Sequence, residues 1–181
     1  MAAVALVQAL QTIVTRNRPA SEYMVLSVAQ LQASSQASNI IGESAFIGLT
    51  VRAFSDAARD LAEDRITKLA QGHAVAFDVE IDVDYSREYP PMVNHTENTR
   101  FAAEVAREVV GAELVNDQAP PEPWSEDFSF MLLARPGAYL MLGQGIGPGV
   151  HTASYDFNDE AAPIGATFFA RLVERAQPLD N

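Results

Sequence analysis

VAFDVEIDVDY, residues 75–85, alternates without a break. Val75, Phe77, Val79, Ile81, Val83 and Tyr85 stand on one side, and Ala76, Asp78, Glu80, Asp82 and Asp84 on the other. A period of two sends successive side chains to opposite faces, so the stretch predicts a half-buried β-strand with an acidic exposed face. Same-face carboxylates recur about 7 Å apart in such a strand. That is too far to share one cation readily, and they read as a solvated face.

Upstream, residues 44–54 (SAFIGLTVRAF) alternate in the same way. Ala45, Ile47, Leu49, Val51 and Ala53 share one face, with Thr50 and Arg52 on the other. Ser55 is a good N-cap for a helix over residues 56–71, with Leu61, Ile66 and Leu69 inward. Residues 23–32 (YMVLSVAQLQ) read as a further strand, followed by the polar loop ASSQASN. Residues 3–16 carry a helical stripe of Val4, Leu6, Val7, Leu10, Ile13 and Val14, stopped at RNRPAS because Pro19 disfavours helix at Arg18. The first half therefore predicts α-β-β-α-β, an open-faced sandwich with helices on one side of an antiparallel sheet.

Beyond Tyr85, SREYPPMVNHTE reads as a linker stiffened by Pro90 and Pro91. The rhythm then predicts a helix over 97–110 burying Phe101, Val105 and Val109, a short strand near 113–115, the loop NDQAPPEPW, and a short helix near 126–134. A buried strand over 138–143 and the glycine-rich QGIGPGV follow. A last helix runs from about 160–163 to 176, with Ile164, Phe168, Phe169, Leu172 and Val173 inward. The chain is thus expected to be of α/β (α+β) class, with residues 1–88 as the sandwich and 89–181 as a partial α/β domain.

Of 181 residues, 48% are hydrophobic, and the formal charge is −12. A chain this acidic repels phosphate backbones, which argues against nucleic acid as a partner. There is no cysteine, hence no disulfide, thiolate metal site or cysteine nucleophile in the chain. The apolar N-terminal run is too short and too polar for a membrane span, and it lacks the basic start of a signal peptide. The reading is a soluble, cytoplasmic protein with no membrane partner.

The three histidines differ in setting. His73 lies where a helix ends, His95 in the linker. His151, in GVHTASYDFNDEAAP (149–163), follows the glycine-rich loop at the end of a strand, with Tyr155, Asp156, Asn158 and Asp159 nearby. Loops at strand ends are where sites tend to lie. Spacing alone leaves open whether His151 is structural or a ligand. In WSEDFSF (124–130), Ser125 reads as a helix cap, with Glu126 and Asp127 suiting the positive helix end. A serine–histidine–acid arrangement of Ser125, His151 and an aspartate lacks the G-x-S-x-G context of a nucleophile elbow. Asn39 reads as a turn residue, or as an amide able to donate to a carbonyl oxygen.

Together these segments resemble the amidohydrolase branch of the aminoacylase/carboxypeptidase metallopeptidases, the branch of the hippurate and indoleacetyl-amino-acid hydrolases. ALVQALQTIVTRN is similar to the family's lid helix, ASNIIGESAFIGLTVRAF to its Asn-(Val/Ile)-Ile-Pro stretch and following strand, and YPPMVNH to the return into the catalytic domain. SEDFSFML and RPGAYLMLG resemble its late helix and strand, and HTASYDFND its closing His-x-x-x-Tyr-Asp-Phe-Asn-Asp signature. Gly42, Trp124 and Ala153 depart from the pattern. The resemblance implies hydrolysis of N-acyl amino acids at a two-metal centre of zinc or manganese. It makes His151 the last metal ligand, Asn39 the group that orients the substrate or steadies an oxyanion, and the lid the contact of a homodimer.

The family's other ligands and its glutamate base have no counterpart in these 181 residues, and one imidazole does not hold a catalytic zinc, which needs about three protein ligands. The expectation is a C-terminal half whose lid lacks its first strand, inactive as a peptidase alone. Two routes could restore chemistry. One is a separate N-terminal partner chain. The other is a metal-independent, esterase-like site of Ser125, Glu126, Asp127 and His151 acting on a small amide or ester. The alternative is a non-catalytic dimerisation or binding module.

Overall fold

Ser55 starts the longest element. In a computed structural model, which describes residues 1–35 and 37–178, its Oγ accepts from the Ala58 N–H at 3.1 Å and donates to Glu22 at 2.6 Å. The helix it caps, α2, spans Asp56–Phe77. Ala58, Ala62, Ile66 and Ala70 recur every four residues and are its buried stripe. Small residues there let the helix approach its neighbours closely. Ser55→Ala is expected to cost about 1 kcal/mol, read as a lower urea midpoint at unchanged slope.

The chain divides into two compact units, Met1–Met92 with Glu122–Glu126, and Val93–Pro121 with the residues from Asp127 on. In the first unit, α1 (Ala2–Thr12) runs into a single π-turn, Ile13–Asn17. β1 (Met24–Ala33) and β2 (Ala45–Ala53) then form a two-stranded antiparallel sheet. Leu6, Leu10 and Ile13, Met24 and Leu26, and Ala58, Ala62 and Ile66 make one buried cluster of helices on sheet. Ile47, Leu49, Val51 and Ala53 line it from β2, the alternation expected of that strand. Ala29 is a bulge, since Val28 pairs with Leu49 and Gln30 with Gly48.

The stretch 75–85 departs from expectation. Residues 75–77 belong to α2, which does not stop near Gln71 but continues to Phe77. His73, expected at the helix end, lies inside it, with Nδ1 2.8 Å from the Leu69 carbonyl oxygen and its ring stacked on Phe77. Val75 is exposed rather than inward. Asp78 ends the helix in the left-handed conformation (φ 51°), a common helix stop. Residues 79–85 belong to no helix or strand among the described residues, and Val79 and Val83, expected inward, are exposed. Alternation reports a half-buried extended chain, whereas a β-strand also needs a ladder partner. The predicted final strand of α-β-β-α-β is therefore an unladdered segment, though Ile81 and Tyr85 do pack against the core.

Burial and the nearby Glu63 carboxylate raise the Tyr85 phenol above its ordinary value, against smaller lowering by Arg87 and Arg59. A raised folded value means that the folded chain keeps its proton when the unfolded chain begins to lose it. Tyr85 therefore contributes stability that is full below pH 10, its unfolded value, and is lost as pH rises through the higher folded value. Tyr85→Phe is expected to flatten the alkaline fall in stability, measured by urea unfolding from pH 9 upward.

The second unit is built on α3 (Thr96–Val110), α4 (Phe128–Ala134) and α5 (Ala161–Ala176). Helices α3 and α5 pack on each other. Val105 and Ala102 are buried, and Arg175 lies 5.8 Å above the Phe101 ring. Arg171 and Arg175 pair with Glu104 and Glu108, exposed pairs worth little each. Residues 112–114 form one 3-10 turn instead of the expected strand. Phe169 and Val173, expected inward, are exposed at 65% and 59%. Residues 138–143 belong to no strand among the described residues, and Leu140, Met141 and Leu142 are exposed, so the buried strand expected there is not formed. No helix among the described residues is long and apolar enough to cross a membrane.

Candidate functional site

Two side chains do the work of a ladder for residues 137–139. Asn94 Nδ2 donates to the Tyr139 carbonyl at 2.9 Å, and the Tyr139 N–H donates back to Asn94 Oδ1 at 2.8 Å. One residue on, the His95 N–H donates to the Gly137 carbonyl at 3.0 Å, and the Gly137 N–H donates to His95 Nδ1 at 3.3 Å. That leaves the His95 proton on Nε2. His95, which had no assigned role in the sequence, is thus a structural clamp.

Past this clamp the extended segment enters the glycine-rich loop. Gln144 closes that loop on the residues that follow His151. Its carboxamide meets the Tyr155 hydroxyl at 3.2 Å and accepts from the Asn158 N–H at 3.3 Å. Its main-chain oxygen accepts from Asn158 Nδ2 at 2.9 Å. Asn158 Oδ1 also accepts from the Glu160 N–H at 3.1 Å, just before α5. Tyr155 and Asn158, noticed in the sequence as neighbours of His151, are therefore the anchors of its loop.

His151 sits at the turn this network encloses. It is exposed, and its φ is 67°, a left-handed conformation that few non-glycine residues adopt. Such a residue persists only where its surroundings hold it there, and these positions cluster at functional sites. No hydrogen bond to a described residue engages its imidazole, which leaves both ring nitrogens available. A hollow of about 460 Å³ is lined by residues 144–148 and 156–160 on either side of the turn in sequence, and His151 itself is not part of its lining.

The other candidates are placed as follows. Asn39 is exposed in the turn between β1 and β2. The neck of that loop is closed by the Ser34 N–H donating to the Ser44 carbonyl at 3.0 Å. Gly42, where the resemblance has proline, fits because a Cβ there would meet Ser34 Oγ at 2.7 Å and the Ser35 nitrogen at 2.8 Å. Ser125 does not cap α4, which starts later at Phe128, after Asp127. Ser125 and Glu126 belong instead to the stretch 122–126, which the first unit holds through Arg52 donating to the Pro123 carbonyl at 2.6 Å. Asp127 and His151 belong to the second unit. The serine arrangement is left with no observation in its favour.

Among the described residues no group of three or more His, Asp or Glu side chains could hold a metal ion. The residues present do not by themselves make a metal site, since His151 offers one donor.

Among the described residues the chain is of mixed α/β class, with five helices, a two-stranded sheet and a constrained histidine loop, and the proteins it is similar to are amidohydrolases. The chain belongs to peptidase family M20/M25/M40, whose family model matches residues 4–175, a family generally dependent on metal. It is similar to a hippurate hydrolase of Campylobacter jejuni, 36% identical over 171 residues, which covers 94% of this chain and 44% of that protein. It is also similar to an N-acetyldiaminopimelate deacetylase of Priestia megaterium, 31% identical over 96% of this chain and 46% of that one. A crystal structure named as an aminohydrolase, from methicillin resistant Staphylococcus aureus, superposes with a TM-score of 0.77 at 26% identity, covering 95% of this chain and 44% of the other. The chain thus spans less than half the length of these relatives.

Proposed function

We propose that this chain serves hydrolysis of the amide bond of N-acyl amino acids, contributing His151 as one metal-binding donor and Asn39 as a group that faces the substrate carbonyl. The observation that carries the reading is His151, held in a left-handed turn by the Gln144 network with its imidazole unengaged. Membership of the family supplies the chemistry. The chain alone is proposed to be inactive as a peptidase, because further donors and a base have to join His151. A second polypeptide carrying them is the proposed partner, and the first unit is proposed as a homodimer contact.

The test uses hippurate and N-acetyldiaminopimelate, the compounds in the relatives' names, with zinc or manganese supplied. No turnover by the chain alone is expected. Turnover should appear on adding the amino-terminal half of a hippurate hydrolase, and disappear again with His151→Ala. Turnover by the unaccompanied chain would refute its inactivity. A complex that forms yet hydrolyses neither compound would favour a binding module, and ester cleavage that survives chelation but not Ser125→Ala would favour the serine site.

A further inference from the structure

Of the three histidines, only His95 spends a bare ring nitrogen on a hydrogen bond. Its main chain is fixed by α3, since its carbonyl accepts from the Thr99 N–H at 2.9 Å and from Thr99 Oγ1 at 3.0 Å. From that fixed position Nδ1 accepts from the Gly137 N–H at 3.3 Å. An imidazole nitrogen accepts only while it carries no proton. No other acceptor takes the Gly137 N–H among the described residues. His73 is the opposite case. Its Nδ1 faces the Leu69 carbonyl at 2.8 Å, so it donates, and a second proton on the ring leaves that bond intact. The His151 ring bonds no described residue. Both His95 and Gly137 are half-buried. The charged and titratable groups of the stretches around the pair are Glu97 on α3, Asp127 and Arg135 at the ends of α4, and Tyr139. Glu97 is held by Arg100 at 2.9 Å, and Arg135 donates to the Ala134 carbonyl at 3.2 Å. Among the described residues none of the four bonds the His95 ring, so no carboxylate is paired with it in either protonation state.

We infer that His95 is a proton-operated latch on the chain that leads into the histidine loop, closed when the ring is neutral and open when it is charged. A proton on Nδ1 converts the acceptor into a donor. Two donors then face each other, and the half-buried Gly137 N–H is left without an acceptor, which costs more than the bond itself. The loss is confined to one point. Asn94 has an amide side chain, which does not titrate, so its two bonds to Tyr139 remain. The latch therefore releases Gly137 first, with Tyr139 still held two residues on. Residues 137–139 belong to no strand among the described residues, so no ladder takes over the freed N–H. Histidine is the side chain that ordinarily changes charge between about pH 5 and 8, which puts the switch within reach of moderate acidification. The inference does not depend on the hydrolytic reading.

The experiment is amide hydrogen exchange of the full chain, read by NMR from pH 8 to pH 5 beside the ring nitrogen shifts of His95. Exchange is expressed as protection relative to an unfolded chain at the same pH, which divides out the pH dependence of exchange itself. At pH 8 the ring proton is expected on Nε2. As the ring gains its second proton, protection at Gly137 should fall about tenfold. Protection at Val105, fully buried in α3, should not change. His95→Asn puts an amide oxygen near the place of Nδ1 and cannot titrate, so any protection it gives Gly137 should be flat with pH. His73→Asn combined with His151→Asn should leave the fall at Gly137 as it is in the unaltered chain. A ring proton on Nδ1 at pH 8 overturns the inference. So does protection at Gly137 that fails to follow the His95 ring, or that falls equally in His95→Asn. A parallel fall at Val105 would make the acid response a loosening of the whole unit and would also overturn it.

Discussion

Leu10→Ala is expected to destabilise the first unit by about 2–5 kcal/mol. Leu10 is 1% exposed and sits in the cluster with Leu6, Ile13 and Ile66. Truncation removes its transfer free energy and leaves a cavity that helices on a sheet close only in part. The measurement is urea unfolding followed by fluorescence of Trp124. It is the one tryptophan of the chain and lies in the stretch 122–126 of the same unit. Leu31→Ala is the companion variant. Leu31 is 48% exposed, so its change should stay within about 0.5 kcal/mol. Equal losses at the two positions would show that the core does not lie where the buried cluster places it.

Asn94→Ala is expected to cost about 2 kcal/mol, because two side-chain to main-chain hydrogen bonds to Tyr139 are lost, at roughly 1 kcal/mol each. The loss should be local first. Residues 137–139 have no ladder, so their amides depend on Asn94 and His95. Hydrogen exchange should show Tyr139 losing protection in Asn94→Ala. Asn94→Asp retains the acceptor for the Tyr139 N–H and should keep that protection, while losing the donor to the Tyr139 carbonyl. Unchanged protection of Tyr139 in the alanine variant would mean that something else holds the segment ahead of the histidine loop.

Local pattern exposed the elements whose partners lie close in sequence. β1 is an apolar-rich run and β2 alternates; they are joined by one loop and pair antiparallel as expected. Ser55 caps α2 as its residue type and position predict. α3 and α5 follow from their apolar stripes. Pattern failed where an element needs a neighbour that periodicity cannot reveal. Residues 79–85 and 138–143 read as strands in the pattern, but belong to none among the described residues. α2 overran its expected end because Ala74 and Ala76 sustain a helix until Asp78 adopts the left-handed turn.

The candidate site shows the same division. His151 stood out by its glycine-rich approach and its family signature. Gln144, Asn94 and His95 gave no signal, because each acts on a partner distant in the chain: 14 residues for Gln144 and Asn158, 45 for Asn94 and Tyr139, 42 for His95 and Gly137. Amide side chains that pair with main chain have no periodicity to betray them.

By itself the sequence determined the mixed α/β class, the two antiparallel strands and the inward face of the second, the main helices, and membership of a metal-dependent hydrolase family. All of these rest on local propensity or ordered motifs. Only the tertiary structure decided that the acidic stretch 79–85 stands without a ladder, that His95 is a clamp, and that His151 is constrained at positive φ by Gln144. The physical reason is that a hydrogen bond or a packed contact belongs to two positions at once, and the chain brings distant positions together only when it folds.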